Sequence, residues 1–431
     1  MFKKISLFLL TASVLFPQEK LTLDKAIELG LQNNYSIQIA KNEAAVDSNN
    51  FSLGNAGFLP TLDVTGAMSK SSVDTKQQYS SGSTVDKKGS ESKAKSVGVS
   101  LNWTLFDGFN MFISYSKLKQ LREIGEMNAK AEIENSVAKI IETYYNIVSI
   151  QLEIRAVNDA ILISRERVKI AEDKYNLGAA SKLEVLQAKV DLNADISNLL
   201  QQQLVFNNAK VALNEAMGRQ STVDFIVNDS IVINKNLIYD ELKNKLLENN
   251  SSLMAAGFNK EVASLSINGI RSQMYPQISA YMNYNYSKTE NQAGFFASNQ
   301  TIGLTYGLSL SLNLFDGLNT YRKIENAKVD LMNSELQFKD TKNKVEANFE
   351  QEFLNYKNAV TLVNLEEENL NVAQQNVDIA MERFRNGSYT PLELREAQKT
   401  LLDAQIRLVN AQYSAKSAEV ELRKLSGQII K

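Results

Sequence analysis

The sequence predicts a mixed fold: membrane β-strands of the barrel type joined to long α-helices that pack as a coiled-coil barrel. Three observations predict it. Apolar residues alternate with small polar ones over four stretches. Elsewhere apolar residues recur every 3.5 residues. The whole pattern is written twice along the chain.

Sparse punctuation comes first. Of 431 residues only four are proline: Pro17, Pro60, Pro276 and Pro391. Proline marks breaks, so few prolines mean few and long elements. Cysteine and histidine are both absent. That excludes disulfides, thiolate nucleophiles, Ser-His-Asp triads and the common zinc sites. No cofactor or metal is expected. The formal net charge is −2, which gives no basis for binding nucleic acid.

Lys3 and Lys4 precede the apolar run 5–16. A charged start before a short apolar core is a signal peptide, assigned here to residues 1–18. The run is too short to span a membrane as a helix, which takes about 20 residues.

The repeat is anchored on two motifs. Phe106-Asp107-Gly108-Phe109-Asn110 returns as Phe315-Asp316-Gly317-Leu318-Asn319, from 106 to 315, an offset of 209. Gly178 matches Gly387, and Gly218 matches Gly427, at the same offset. Asn33-Asn34 matches Asn249-Asn250, and Pro60 matches Pro276. The chain therefore divides into a first repeat (21–218), a linker (219–236), a second repeat (237–427) and a tail (428–431).

Each repeat opens with one helix, 23–56 in the first. Strands follow the prolines. Val97, Val99, Leu101, Trp103 and Leu105 alternate with Gly98, Ser100, Asn102 and Thr104. Ile302 to Leu314 alternates in the same way. Leu62, Val64 and Met68, and then Ile278 to Tyr286, mark the partner strands. Lengths of about 10–13 residues suit tilted membrane strands, and soluble strands average about 5–6. The apolar face suits lipid and the small polar face a watery lumen. Trp103, Phe106 and Phe315 are placed at one membrane interface. Tyr284, Tyr286, Phe295 and Phe296 are placed towards the other. The segments 69–96 and 287–301 are read as exposed loops. Four strands cannot close in lipid, where open edges are forbidden. Two copies would supply eight strands and three would supply twelve.

The remainder is helical. Phe109 to Asn176 predicts one helix, about 100 Å long at ~1.5 Å per residue. The return helix from Lys182 to Met217 is about half that length, as is 23–56, so the two halves are expected to stack end to end. In the second repeat Leu394, Ala397, Leu401, Ala404, Leu408, Ala411, Ala415, Ala418, Leu422 and Leu425 form an unbroken coiled-coil seam. In the first, Asp195 and Gln202 interrupt it.

Each helical hairpin turns at a glycine, Gly178 or Gly387, suited to a helix C-terminus. Each next helix starts with a capping box: Ser181 with Glu184, and Thr390 with Glu393, with Pro391 in the first turn. Glu396 lies one turn beyond Glu393. Capping accounts for Glu184 and Glu393. A ring of carboxylates, multiplied by oligomerisation around a pore, would also favour cations.

The span 21–427 resembles the TolC-like outer-membrane efflux proteins. Leu21-Thr22-Leu23, Ala26, Asn33-Asn34, Leu59-Pro60 and the paired Leu-Phe-Asp-Gly motifs carry the resemblance. So do the tips Tyr175-x-x-Gly178 with Leu183-Glu184-Val185, and Phe384-x-x-Gly387 with Leu392-Glu393-Leu394. The resemblance implies a homotrimer with a twelve-stranded barrel in the outer membrane of a Gram-negative bacterium, and a long periplasmic extension. It implies an exit duct for tripartite efflux or type I secretion. A periplasmic adaptor would dock on tips including Tyr175, Gly178, Ser181, Leu183, Phe384, Gly387, Thr390 and Leu392. An inner-membrane RND or ABC transporter would act through that adaptor. Glu393 and Glu396 align with the family's acidic entrance constriction, and Glu184 with a latch residue. The latch's usual basic partner falls at Tyr389, so the expected substitutes are Tyr389 itself or Arg385. The competing reading is a coiled-coil scaffold that transports nothing, for which lipid-length strands have no use.

Overall fold

The computed structural model describes residues 19–430. The expected signal peptide and Pro17 lie outside them. The elements run β1 (Glu19–Leu21), α1 (Leu23–Asn33), α2 (Tyr35–Asn50), β2 (Thr61–Gln78), β3 (Thr84–Asp107), α3 (Asn110–Asn176) and α4 (Lys182–Ala216). Then follow β4 (Phe225–Val227), α5 (Tyr239–Asn249), α6 (Ser251–Arg271), β5 (Gln277–Asn291), β6 (Ser298–Ser311), α7 (Asn319–Arg385) and α8 (Pro391–Leu425). No helix among the described residues is long and apolar enough to cross a membrane.

The chain forms two compact units. One holds 42–128 and 252–342. Its centre is an antiparallel sheet in the order β2-β3-β5-β6. The sheet is open, with β2 and β6 at its edges. Its strands are longer than the alternation suggested, from 14 to 24 residues. The segments 69–96 and 287–301, expected as loops, are mostly ladder. Lys70 pairs with Lys93 and Lys95 with Lys288 across it, and only 79–83 and 292–297 remain as turns. The backbone ladder does not need apolar side chains, so it runs on past the apolar belt. Phe295 and Phe296 consequently sit in a turn beyond the belt rather than in an interfacial girdle. Ile302 to Leu310 spans about 27 Å at ~3.4 Å per residue, close to the ~25 Å apolar band of a membrane barrel.

The Phe-Asp-Gly motif is the strand-to-helix corner. Gly108 and Phe109 both take left-handed backbone, as do Gly317 and Leu318. The aspartate then caps the helix: Met111 N–H donates to Asp107 Oδ1, and Thr320 N–H donates to Asp316 Oδ2 at 2.7 Å.

The other unit holds 19–41, 129–251 and 343–430. α3 and α7 each run 67 unbroken residues. The single helix expected over 23–56 is instead two helices, α1 and α2. At Asn34 the backbone leaves the helix, and the side chain accepts from Ile37 N–H and donates to Ala216 O, the last carbonyl of α4, at 2.8 Å. Asn250 repeats this between α5 and α6, donating to Leu425 O at 3.0 Å. The asparagine supplies the hydrogen bonds that a helix end lacks. The half helix that meets α4 therefore starts at Tyr35. Within 219–236, β4 pairs in parallel with β1, Phe225 opposite Glu19. Phe225, Leu21, Tyr144 and Leu213 close a core around this pair.

Candidate functional site

The two helical hairpin tips hold nearly all the proposed site residues. Gly178 and Gly387 have φ of +77° and +76°. Each closes a Schellman-type turn: Ala179 N–H reaches Lys174 O, and Ser388 N–H reaches Arg383 O. A Cβ at either glycine would meet nothing within 4 Å, so only the left-handed backbone demands glycine there.

Both capping boxes form. Glu184 accepts from Ser181 N–H at 3.3 Å and from its hydroxyl at 3.2 Å. Glu393 is held more tightly by Thr390, with the hydroxyl at 2.7 Å and the N–H at 2.8 Å. The Thr390 hydroxyl, then its N–H, hold the Glu393 carboxyl below its ordinary range. Glu396 is exposed one turn on, and its carboxylate forms no hydrogen bond with any described residue. The carboxylates of Glu393 and Glu396 thus both reach solvent on one side of α8.

The expected latch partners do not meet within the chain. Arg385 reaches Glu166 on α3 at 3.3 Å, not Glu184. Tyr389 is half-buried against the core of the second hairpin. Among the docking residues, Tyr175, Leu183 and Leu392 are exposed, and so are Gly178, Ser181, Gly387 and Thr390. Phe384 is not. It is 3% exposed, inside the cluster of Ala380, Leu394 and Ala397. Lys174 covers its ring at 4.5 Å and donates to its carbonyl at 2.6 Å. Phe384 therefore supports its tip from within and offers no docking surface. In the sheet, Trp103 and Phe315 are well exposed; Trp103 Nε1–H donates to Phe58 O at 3.0 Å, and Phe106 packs edge-on to Phe109.

A polar network that the periodicity did not reveal joins the hairpins above the tips. Asp195 on α4 takes a bidentate contact from Arg395 on α8, at 3.0 Å on each arm. The Ser164 hydroxyl of α3 donates to Asp195 at 2.5 Å. Gln398 of α8, almost fully buried, donates to Ser164 Oγ and Ala160 O. Beside them Arg167, 2% exposed, pairs with Asp191. The signal was present in the sequence as the break at Asp195, one of two polar positions, with Gln202, that interrupt the seam.

Among the described residues no group of His, Cys, Asp or Glu could hold a metal ion. A hollow of 720 Å³ beside Asn34 and Tyr35 is lined also by Lys139, Glu142 and Tyr413. Burial, helped by the charge of Glu421, pushes the Glu142 carboxyl up.

The sequence profile of the outer membrane efflux proteins matches residues 26–219 and 242–428. The outer membrane efflux protein BepC of Brucella suis biovar 1 is 19% identical over 428 residues, covering 98% of this chain and 89% of BepC. The outer membrane protein TolC of Escherichia coli K12 is 19% identical over 356 residues, covering 80% of this chain and 71% of TolC. Among solved structures, the outer-membrane channel OprN superposes with a TM-score of 0.78 at 17% identity, covering 94% of this chain and 90% of OprN. VceC of Vibrio cholerae superposes with a TM-score of 0.76 at 18% identity, covering 94% and 96%. The protein is placed in the outer membrane of a Gram-negative bacterium, with a periplasmic helical extension. The chain belongs to the outer membrane efflux protein family, a family of outer-membrane channel proteins.

Proposed function

We propose that the protein is a passive exit duct, a homotrimer whose twelve strands close one barrel and whose periplasmic tips form the gate. One observation carries this reading. A four-stranded sheet with an apolar face and two open edges cannot stand alone in lipid, where unpaired backbone groups are too costly. Copies of the chain, β6 of one against β2 of the next, would remove both edges. A second feature supports assembly. Leu186, Val190, Leu200, Leu204 and Val211 are exposed at coiled-coil spacing along α4, a seam that no described residue covers.

At the gate, Glu393 and Glu396 would ring the entrance and draw cations. The Asp195–Arg395 contact would grip α8 in the closed state. The exposed tip residues would receive a periplasmic adaptor that couples the duct to an inner-membrane transporter. A shared duct accepts what its transporter delivers, so the exported substrate is set outside this chain.

Fractionation with heat-modifiable gel migration tests the duct. Outer-membrane trimers are expected; a soluble periplasmic monomer sinks the reading. Planar-bilayer recordings test the gate: Glu393→Gln with Glu396→Gln should lose cation preference, and unchanged selectivity removes these residues from that role. Co-purification from the native cell identifies the adaptor and transporter.

A further inference from the structure

We propose that the outward face of the sheet, just beyond its apolar belt, binds the phosphate groups of the outer-leaflet phosphoglycolipid through Lys70, Lys93, Lys95 and Lys288. The register places these residues. Val97, Tyr286 and Ile302 form the last apolar row across β3, β5 and β6. Two residues further along, and so on the same face, the row is Met68, Lys95, Lys288 and Gln300. The next row on that face is Lys70, Lys93, Glu290 and Ser298. Beyond it come Ser72 and Glu91.

These rows lie towards the turns 79–83 and 292–297, at the opposite end of the strands from the corners that lead into the helices. The helices extend into the periplasm, so the lysine rows stand at the outer leaflet. Three of the four lysines are on β3 and β5, the inner strands of the sheet. Closure against other copies at β2 and β6 leaves them uncovered.

The charges are arranged for an external anion. Lys95 stands directly opposite Lys288, and Lys70 directly opposite Lys93. Like charges facing each other across a ladder destabilise it. Lys70 is compensated by Glu91 at 2.7 Å and Lys288 by Glu290 at 2.6 Å. Lys93 and Lys95 are exposed, and their ammonium groups form no hydrogen bond or ion pair with any described residue. A hollow of 290 Å³ is lined by these four lysines with Met68 and Glu290. It joins two ammonium groups that are in no ion pair, with four lysines set against Glu290 and Glu91, to an apolar floor continuous with the belt. A phosphorylated headgroup whose acyl chains lie along that belt satisfies both. A soluble phosphate would use only the charges.

The test uses the purified full-length protein in neutral detergent, titrated with diphosphorylated lipid A, its dephosphorylated form, phosphatidylglycerol or inorganic phosphate. Retained lipid is read by native mass spectrometry, and oligomer melting is read alongside. Binding on the purified protein is independent of the transport and gating tests. Diphosphorylated lipid A should bind and raise the melting temperature. A lysine near an anionic surface contributes roughly fivefold, so Lys93→Gln with Lys95→Gln should weaken binding about 30-fold. Without lipid, the same variant should melt no lower than the parent, because a repulsion is removed; this separates lost binding from misfolding. Lys76→Gln with Lys88→Gln, the same charge change nearer the turn, should bind as the parent does. Equal binding of the dephosphorylated glycolipid, or parent-like binding by the Lys93/Lys95 variant, would overturn the proposal. So would saturation by phosphatidylglycerol or inorganic phosphate at the same concentration.

Discussion

The two helical hairpins share one plan and are held by different forces. The α7–α8 hairpin packs on itself through Ala373, Val377, Ala380, Phe384, Leu394, Ala397, Leu401 and Ala404, all buried. The α3–α4 hairpin has only Ala171, Val185 and Ala188 in the matching cluster near its tip. Next to that cluster stand two buried polar positions, Asp195 and Ser164, which reach across to Arg395 and Gln398. Ile163 and Ile170 of α3 also pack on the core of the second hairpin rather than on α4. The second hairpin thus has an apolar seam of its own near its tip. The first meets it through Ile163 and Ile170 and through a few polar contacts. The gate proposed above would use both: a hairpin packed on its own seam, and a bond set that can open without unfolding it.

The sharpest test of the contrast is in the apolar seams. Leu394 is fully buried, and Leu394→Ala should cost about 3 kcal/mol. Val185→Ala, the matching change in the first hairpin, should cost roughly half, since fewer atoms are lost from a thinner core. Guanidinium unfolding followed by the helical signal measures both; equal costs would break the comparison. Next is the grip. Asp195→Ala leaves Arg395 without its counter-charge. The loss should be roughly 2–3 kcal/mol, below the full value for a buried pair because Arg395 is partly exposed. Limited proteolysis at Gly387 should quicken, and a cycle with Arg395→Ala should show coupling. Additive effects would mean that the two side chains do not act together.

Smaller effects should be equal on the two sides. Gly178→Leu and Gly387→Leu each force a branched residue into left-handed backbone, at about 1–2 kcal/mol, with no clash to add. Thermal unfolding should show matched losses, and adaptor capture should fall for both at normal protein levels. The smallest effect is at the caps. The Glu393 carboxyl sits below its ordinary value of 4.5. Its stabilising effect is full above that value and is lost as pH falls through the folded-state value. Protection of the tip amides from hydrogen exchange should differ between parent and Glu393→Gln at neutral pH, and converge in acid.

Legibility followed the range of the interactions. The helices α3 and α4 appear within a residue of their expected bounds, and α8 starts at its expected capping box, because period, capping boxes and glycine stops are all local. The strands were recognised by alternation, yet their outer halves were not. The apolar signal stops at the end of the apolar belt, while the ladder is carried by backbone groups that every residue has. The break at Asn34 was visible only as a repeated Asn-Asn pair. What the asparagine does depends on Ala216, far along the chain.

The sequence by itself determined the kinds of element, their order, the tips and the apolar face of the sheet. Each follows from side chains a few residues apart. The tertiary structure alone decided that Phe384 is buried while Tyr175, its counterpart in the first hairpin, is exposed. It also decided that Arg395 serves Asp195, that Arg385 turns to Glu166, and that four lysines from three strands gather on one face. Those outcomes depend on which distant segments meet, and a burial or a charge pair acquires its partner only when the chain has folded.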